Sequence, residues 1–253
     1  MPSMESWNPE VVALTVLAFL LAGTVKGIVG FGLPTVALAV MALVTGVLEA
    51  MVLILAPSFV TNARQALAGR DLAAILRRFW ALLLLMAVGI WLGAGWLAES
   101  DAALVSGFLG LVLLLYGAVS LAGPQVPAPG HRERWLTPFV GLVNGVITGL
   151  TGTFVVPSAL YLQSLRLTPA MQIQTMGVFF FGATCLLAVG LAGHGQITGS
   201  VSWLSLVAIA PALTGMWLGA RLRARMDAAR FRQVFFAAIV LVGAYLALKG
   251  FMF

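Results

Sequence analysis

Apolar residues run through this chain in long stretches, and the polar positions between them are sparse enough to mark its turns. Residues 11–25 are apolar. The run Gly23-Thr-Val-Lys26-Gly27-Ile-Val-Gly30-Phe31-Gly32-Leu33-Pro34 then interrupts them with four glycines, a lysine and a proline. Glycine permits backbone conformations that other residues resist, and Pro34 removes a donor and disfavours a helical Leu33, so a helix should break at 30–34. Residues 79–98 carry no charge and are long enough to cross a hydrocarbon core of about 30 Å. Continued along the chain, the pattern predicts ten segments: 11–30, 33–47, 48–66, 79–98 and 102–122, then 135–148, 152–165, 170–192, 200–220 and 233–249. Pro57 and Pro157 are expected kinks. Trp7, Trp80, Trp96, Trp135, Trp203 and Trp217 fall near segment ends, as in an aromatic belt.

Composition fixes the class. The 253 residues are 61% hydrophobic and only 9% charged, against about 25% charged in soluble domains. The chain reads as an all-α polytopic membrane protein. The net charge of +6 then requires no nucleic-acid partner, because the arginines lie in loops and follow the cytoplasmic bias of Lys and Arg. The single Cys185 excludes an internal disulfide. The N-terminus lacks the basic region of a cleavable signal.

The halves resemble each other. Gly23-Thr-Val-Lys26-Gly27-Ile-Val aligns with Gly141-Leu-Val-Asn144-Gly145-Val-Ile, and Trp91-Leu-Gly93-Ala with Trp217-Leu-Gly219-Ala. Basic loops at 64–78, 131–134 and 221–232 belong in the cytoplasm, while the N-terminus, 99–101 and 193–200 belong outside. Corresponding loops therefore face opposite sides. The expected architecture is two inverted-topology repeats, 1–122 and 135–253, joined by a cytoplasmic linker at 123–134. Each repeat holds a Gly-broken helix pair, spanning or re-entrant, followed by three spanning helices. Inverted repeats with broken helices at matching places describe a secondary transporter, with its site near the midplane.

Half-helix N-termini at such breaks offer N–H groups to an anion. Lys26 lies about 22 Å along a helix from Val11, where an unpaired charge costs about 3 kcal/mol. It must pair with an anion, a carboxylate or backbone carbonyls, or snorkel. The candidate anion site comprises Lys26, Gly30, Phe31 and Gly32 at the first break, with Phe31 as apolar wall or gate. Asn62 and Arg64 join from the third segment, and Asn144, Thr148, Thr151, Gly152 and Thr153 from the second break. Gln172, Gln174 and Thr175 stand in an otherwise apolar segment. Each has a plainer role: topology for Arg64, back-bonding to helix carbonyls for the threonines, interhelical hydrogen bonds for the glutamines. No His, Cys and carboxylate set has metal spacing, and no cofactor is expected. No spanning segment pairs a nucleophile with a base, so an enzyme is not expected. No P-loop is present.

At the Gly-rich breaks the chain resembles the sulfite exporter TauE/SafE family of small permeases. Gly27-Ile-Val-Gly30-Phe-Gly32-Leu-Pro matches the first copy of the family motif, and Gly145-Val-Ile-Thr148-Gly149-Leu-Thr151-Gly152-Thr153 the second, with threonines where glycines are usual. The resemblance implies transport of a small sulfur-containing anion (sulfite, thiosulfate or an organosulfonate such as sulfoacetate) across a bacterial inner membrane. The threonine hydroxyls would suit sulfonate oxygens. An anion channel, or a transporter for a small carboxylate without sulfur, is the alternative. A negative-inside potential favours anion exit, while uptake would need coupled H+ or Na+.

Overall fold

A computed structural model describes residues 8–123, 126–197, 199–223, 225 and 227–252. These residues form helices and no strand. In chain order the helices are α1 (Pro9–Val29), α2 (Leu33–Thr45), α3 (Val47–Leu53), α4 (Leu55–Ala66), α5 (Leu72–Glu99) and α6 (Ala102–Ala122). After a 3-10 turn at Gly130–Arg132 come α7 (Glu133–Thr151), α8 (Ser158–Ser164), α9 (Pro169–Gly193), α10 (Gly199–Val207), α11 (Ile209–Arg223) and α12 (Ala228–Met252). Six stretches are long and apolar enough to cross a membrane: α1, α5, α6, α9, Val201–Arg223 and Arg230–Met252. The pair α3–α4, bent by 43°, makes a seventh if it counts as one span. Trp80, Trp96, Trp135, Trp203 and Trp217 are all exposed, as belt residues facing lipid headgroups would be; Trp7 lies outside the described residues.

Several segments differ from their sequence-based bounds. The span expected at 79–98 begins at Leu72, so Arg77 and Arg78 sit in helix and not in the basic loop. There Arg78 pairs bidentately with Glu133 (2.6 and 2.9 Å), tying α5 to α7. The segment expected at 152–165 is helical only over Ser158–Ser164, because Gly152 and Pro157 leave the intervening residues extended or turned. The linker expected at 123–134 already contains the 3-10 turn and the first residues of α7.

The first break follows from two glycines. Gly30 ends α1 in the left-handed region (φ 93°), its N–H bonding to the Lys26 carbonyl at 2.8 Å. Gly32, also left-handed (φ 100°), caps α2, whose second residue is Pro34. A side chain with a Cβ is disfavoured in both places.

The break between α3 and α4 has a different cause. Pro57 has no N–H for the Leu53 carbonyl, one turn earlier. Ser205 of α10 replaces it: its Oγ donates to Leu53 O at 2.8 Å and accepts from Ala56 N at 3.1 Å. The expected kink at Pro57 is thus present, displaced to Ile54. Pro157 stands instead at the N-cap of α8.

Glycines set how the long helices pack. A Cβ on Gly23 would fall 2.2 Å from Ala212 O, and one on Gly27 2.3 Å from Met216 O, so α1 and α11 touch backbone to backbone. Gly215 and Gly219 of α11 are equally closed by Leu20 and Thr24. The same contact chemistry joins α7 to α5, where Gly141, Gly145 and Gly149 lie on Leu82, Met86 and Ile90, with Gly89 and Gly93 opposite. Small residues allow this approach in lipid, where dispersion between helices replaces the hydrophobic effect. Helices α6 and α12 make a third glycine-lined pair through Gly110 and Gly243, and α4 packs on α9.

Candidate functional site

Lys26 is placed on the last turn of α1 and is only 4% exposed. Its ammonium donates to Thr61 Oγ1 at 3.1 Å and to Asn62 Oδ1, both on α4. Thr61 Oγ1 in turn donates to Pro57 O (2.8 Å), and Asn62 Nδ2 donates to Thr184 Oγ1 of α9 (3.3 Å). Thr184 in turn donates to Phe180 O at 2.7 Å. Every partner in this chain is neutral. Among the described residues no Asp or Glu oxygen lies within 4 Å of the ammonium. A charge removed from water normally finds a counter-charge; here it finds hydroxyl and amide oxygens, which solvate a cation without neutralising it. The arrangement can accept an anion by exchanging neutral acceptors for charged ones, which add the ion-pair attraction that hydroxyl and amide oxygens lack.

Four residues beyond Lys26, Gly30 exposes its carbonyl, and three residues beyond Asn62, Gln65 reaches it. Gln65 Nε2 bonds to Gly30 O at 3.3 Å and to Ile173 O at 3.0 Å, fastening the first break to α9. Gln65 Oε1 is buried without a partner. This latch forms one wall of a cleft of about 640 Å³ that also contains Gly30, Phe31 and Gln172. The structure therefore brings together Gly30, Phe31 and Gln172, with Lys26 and Asn62 about one helical turn (roughly 5–6 Å) behind them.

The second break is built differently. Asn144 takes the Lys26 position of its half, but its Oδ1 accepts from Ser158 N (3.2 Å) and so caps α8. Its Nδ2 donates to Thr148 Oγ1 at 3.2 Å, and Thr148 donates to Thr153 O at 3.0 Å. Thr151 back-bonds to Ile147 O at 2.7 Å and accepts from Thr153 N at 3.3 Å. These side chains close the break upon itself. Thr153 Oγ1 alone of the three threonine hydroxyls has no partner. Gly152 packs on Met51 and Leu38, away from the cleft at Gly30.

The remaining candidates divide. Gln174 holds the α4–α5 connection: Nε2 donates to Ala66 O (2.9 Å), and Oε1 accepts from Asp71 N (3.0 Å). Thr175 is buried with its hydroxyl unpartnered. Arg64 points outward and is exposed. Thr61 and Thr184, which complete the Lys26 network, escaped the sequence reading. The signal for Thr61 was its place beside Asn62; a lone threonine such as Thr184 in an apolar helix carries none. Arg223 and Arg232, from the loop ends of α11 and α12, also reach the cleft.

The family model described as Sulfite exporter TauE/SafE matches residues 15–246, nearly the whole chain. No curated protein and no solved structure matches it.

Proposed function

Because the chain belongs to the sulfite exporter TauE/SafE family, whose members are membrane transporters of sulfur anions, we propose that it carries a small sulfur oxyanion (sulfite, thiosulfate or an organosulfonate such as sulfoacetate) across a bacterial inner membrane by alternating access. One observation carries the reading: the Lys26 ammonium is buried one turn before a helix break, and its partners among the described residues are the neutral Thr61 and Asn62. These neutral oxygens hold the charge. An arriving sulfonate or sulfite oxygen takes their place, adding the attraction of opposite charges to the bond and releasing α4 from α1. Gln65 adds a second tie between the break and α9, which must also part if the substrate is to pass Gly30.

Two inverted repeats are the frame for this motion. Supporting them is the pairing of α1 with α11 and of α7 with α5. Gly23 and Gly27 align with Gly141 and Gly145, and Gly93 with Gly219, so the two interfaces are one contact made twice with the halves exchanged. Such an arrangement lets one repeat rock against the other around a central site. In this scheme the first break supplies the charge. The second break, closed by its own threonines, supplies a rigid wall.

Flux in proteoliposomes tests the reading, with sulfite, thiosulfate, sulfoacetate and an aromatic sulfonate measured side by side. Saturable flux of at least one of them, lost in Lys26→Ala, is the expected result. Absence of flux for all four, or flux indifferent to Lys26, would sink it.

A further inference from the structure

The cleft at the first break is larger and more apolar than a bare oxyanion needs. Its volume of about 640 Å³ lies in the range of sites that bury organic ligands. Phe31, Val119, Met176 and Phe236 form apolar walls, and no Asp or Glu lines it among the described residues. Two cations do: Arg223 at the end of α11 and Arg232 in the first turns of α12. Both are exposed. The first turn of the 25-residue helix α9, through Pro169 and Gln172, adds the positive end of its dipole to the same space. Arg221, the third arginine nearby, is engaged elsewhere, stacked 3.6 Å over the Trp217 ring.

We propose that this cleft is an outer docking subsite for an oxyanion with an apolar tail, distinct from the Lys26 network. Arg223 and Arg232 hold the –SO3− head by planar, bidentate hydrogen bonding, and the tail lies along Phe31 and Met176. Gln65, bonded to Gly30 O, lines this cleft, whereas Lys26 does not. The inference rests on the transport reading above and narrows its substrate class: inorganic sulfite gains nothing from the apolar walls, whereas an alkyl- or arylsulfonate does. The same head chemistry occurs in anionic lipid headgroups, so the test separates the two sources.

Binding of methane-, propane- and pentanesulfonate is measured calorimetrically on the full chain in nanodiscs of zwitterionic lipid, for the native protein, R223Q/R232Q and K26Q. The subsite predicts affinity rising about threefold to fourfold per added methylene. It further predicts at least a tenfold loss in R223Q/R232Q and retention of the chain-length trend in K26Q. R223K/R232K, which keeps the charge but loses the planar fork, should fall between and stands in if the glutamine pair fails to fold. A flat chain-length series, or arginine variants that bind like the native chain, overturns the subsite. So does a series that is flat in zwitterionic discs while phosphatidylglycerol alone binds in an Arg223- and Arg232-dependent way, which would assign the cleft to lipid. Chain-length-dependent binding at the arginines with no flux of any sulfur anion would instead remove the transport reading and leave the subsite standing.

Discussion

The Lys26 ammonium on α1 donates to the Asn62 side-chain oxygen on α4, a residue 36 positions away, and Asn62 continues the chain to Thr184 on α9. Three helices from both halves therefore meet at one buried positive charge. What holds them is also what an anion would displace.

Removing the charge should separate stability from transport. In Lys26→Met the cost of a buried ammonium disappears, worth about 3 kcal/mol on insertion scales. Against that, Asn62 Oδ1 loses its donor, at about 1–3 kcal/mol. The two nearly cancel, so the thermal midpoint in detergent should stay within a few degrees of the native value. Flux should nevertheless fall at least tenfold. A collapse in stability with residual flux per folded molecule unchanged would make Lys26 a structural residue.

Placing a carboxylate in the network should be more damaging to function than deleting it is to the fold. Asn62→Asp puts an anion beside Lys26 in nearly the same volume. The protein's own carboxylate then occupies the place of the substrate. Expected are a folded protein and a KM for the transported anion raised at least tenfold. Unaltered kinetics in Asn62→Asp would show that the substrate does not use this ammonium.

The two glycine interfaces should respond alike if they are one contact made twice. A Cβ at Gly27 would stand 2.3 Å from Met216 O, and one at Gly145 2.4 Å from Met86 O. Gly27→Val and Gly145→Val should each force their helix pair apart, at about 3 kcal/mol. Thermal unfolding of the two variants should therefore show similar losses. A large loss in one and none in the other would contradict the duplication.

Ser205 offers a test of the α3–α4 kink. Its hydroxyl serves both Leu53 O and Ala56 N, the groups left over by Pro57. Ser205→Ala strands both and should cost about 2 kcal/mol. Pro57→Ala on top of it restores an N–H for Leu53 O and should recover part of the loss. Additive destabilisation in the double variant, read by the same melts, would disprove the substitution of serine for the missing N–H.

Sidedness can be read chemically. With Cys185 replaced by alanine, cysteines at Ser100 and Ala128 should react with a membrane-impermeant thiol reagent from opposite faces: Ser100 from outside, Ala128 only after the membrane is opened. Labelling of both from one face would overturn the charge-based topology.

Much of this protein is written in its sequence, because each such feature depends on neighbours along the chain. Long uncharged stretches dictate spanning helices, since only a helix satisfies all its backbone groups within a single segment in lipid. Gly30, Gly32 and Pro34 dictate the first break through local backbone sterics. Lys26 is conspicuous in a run without other charges, and the glycines at 23, 27, 141 and 145 announce close helix contacts by their spacing alone. Tertiary structure decided the rest, because it concerns groups that meet only after packing. Sequence could place Asn62 among the candidates but not beside Lys26, nor add Thr184, which lies 122 residues from Asn62. It offered Asn144 and three threonines as donors, and packing spent most of them on closing their own break. It read Arg223 and Arg232 as ordinary loop charges that orient the chain. Only the convergence of α11 and α12 at the cleft beside Gly30 makes those exposed charges part of its lining. Local propensity and hydropathy act over a few residues; which polar groups remain unsatisfied, and so free for chemistry, is settled by what the fold places opposite them.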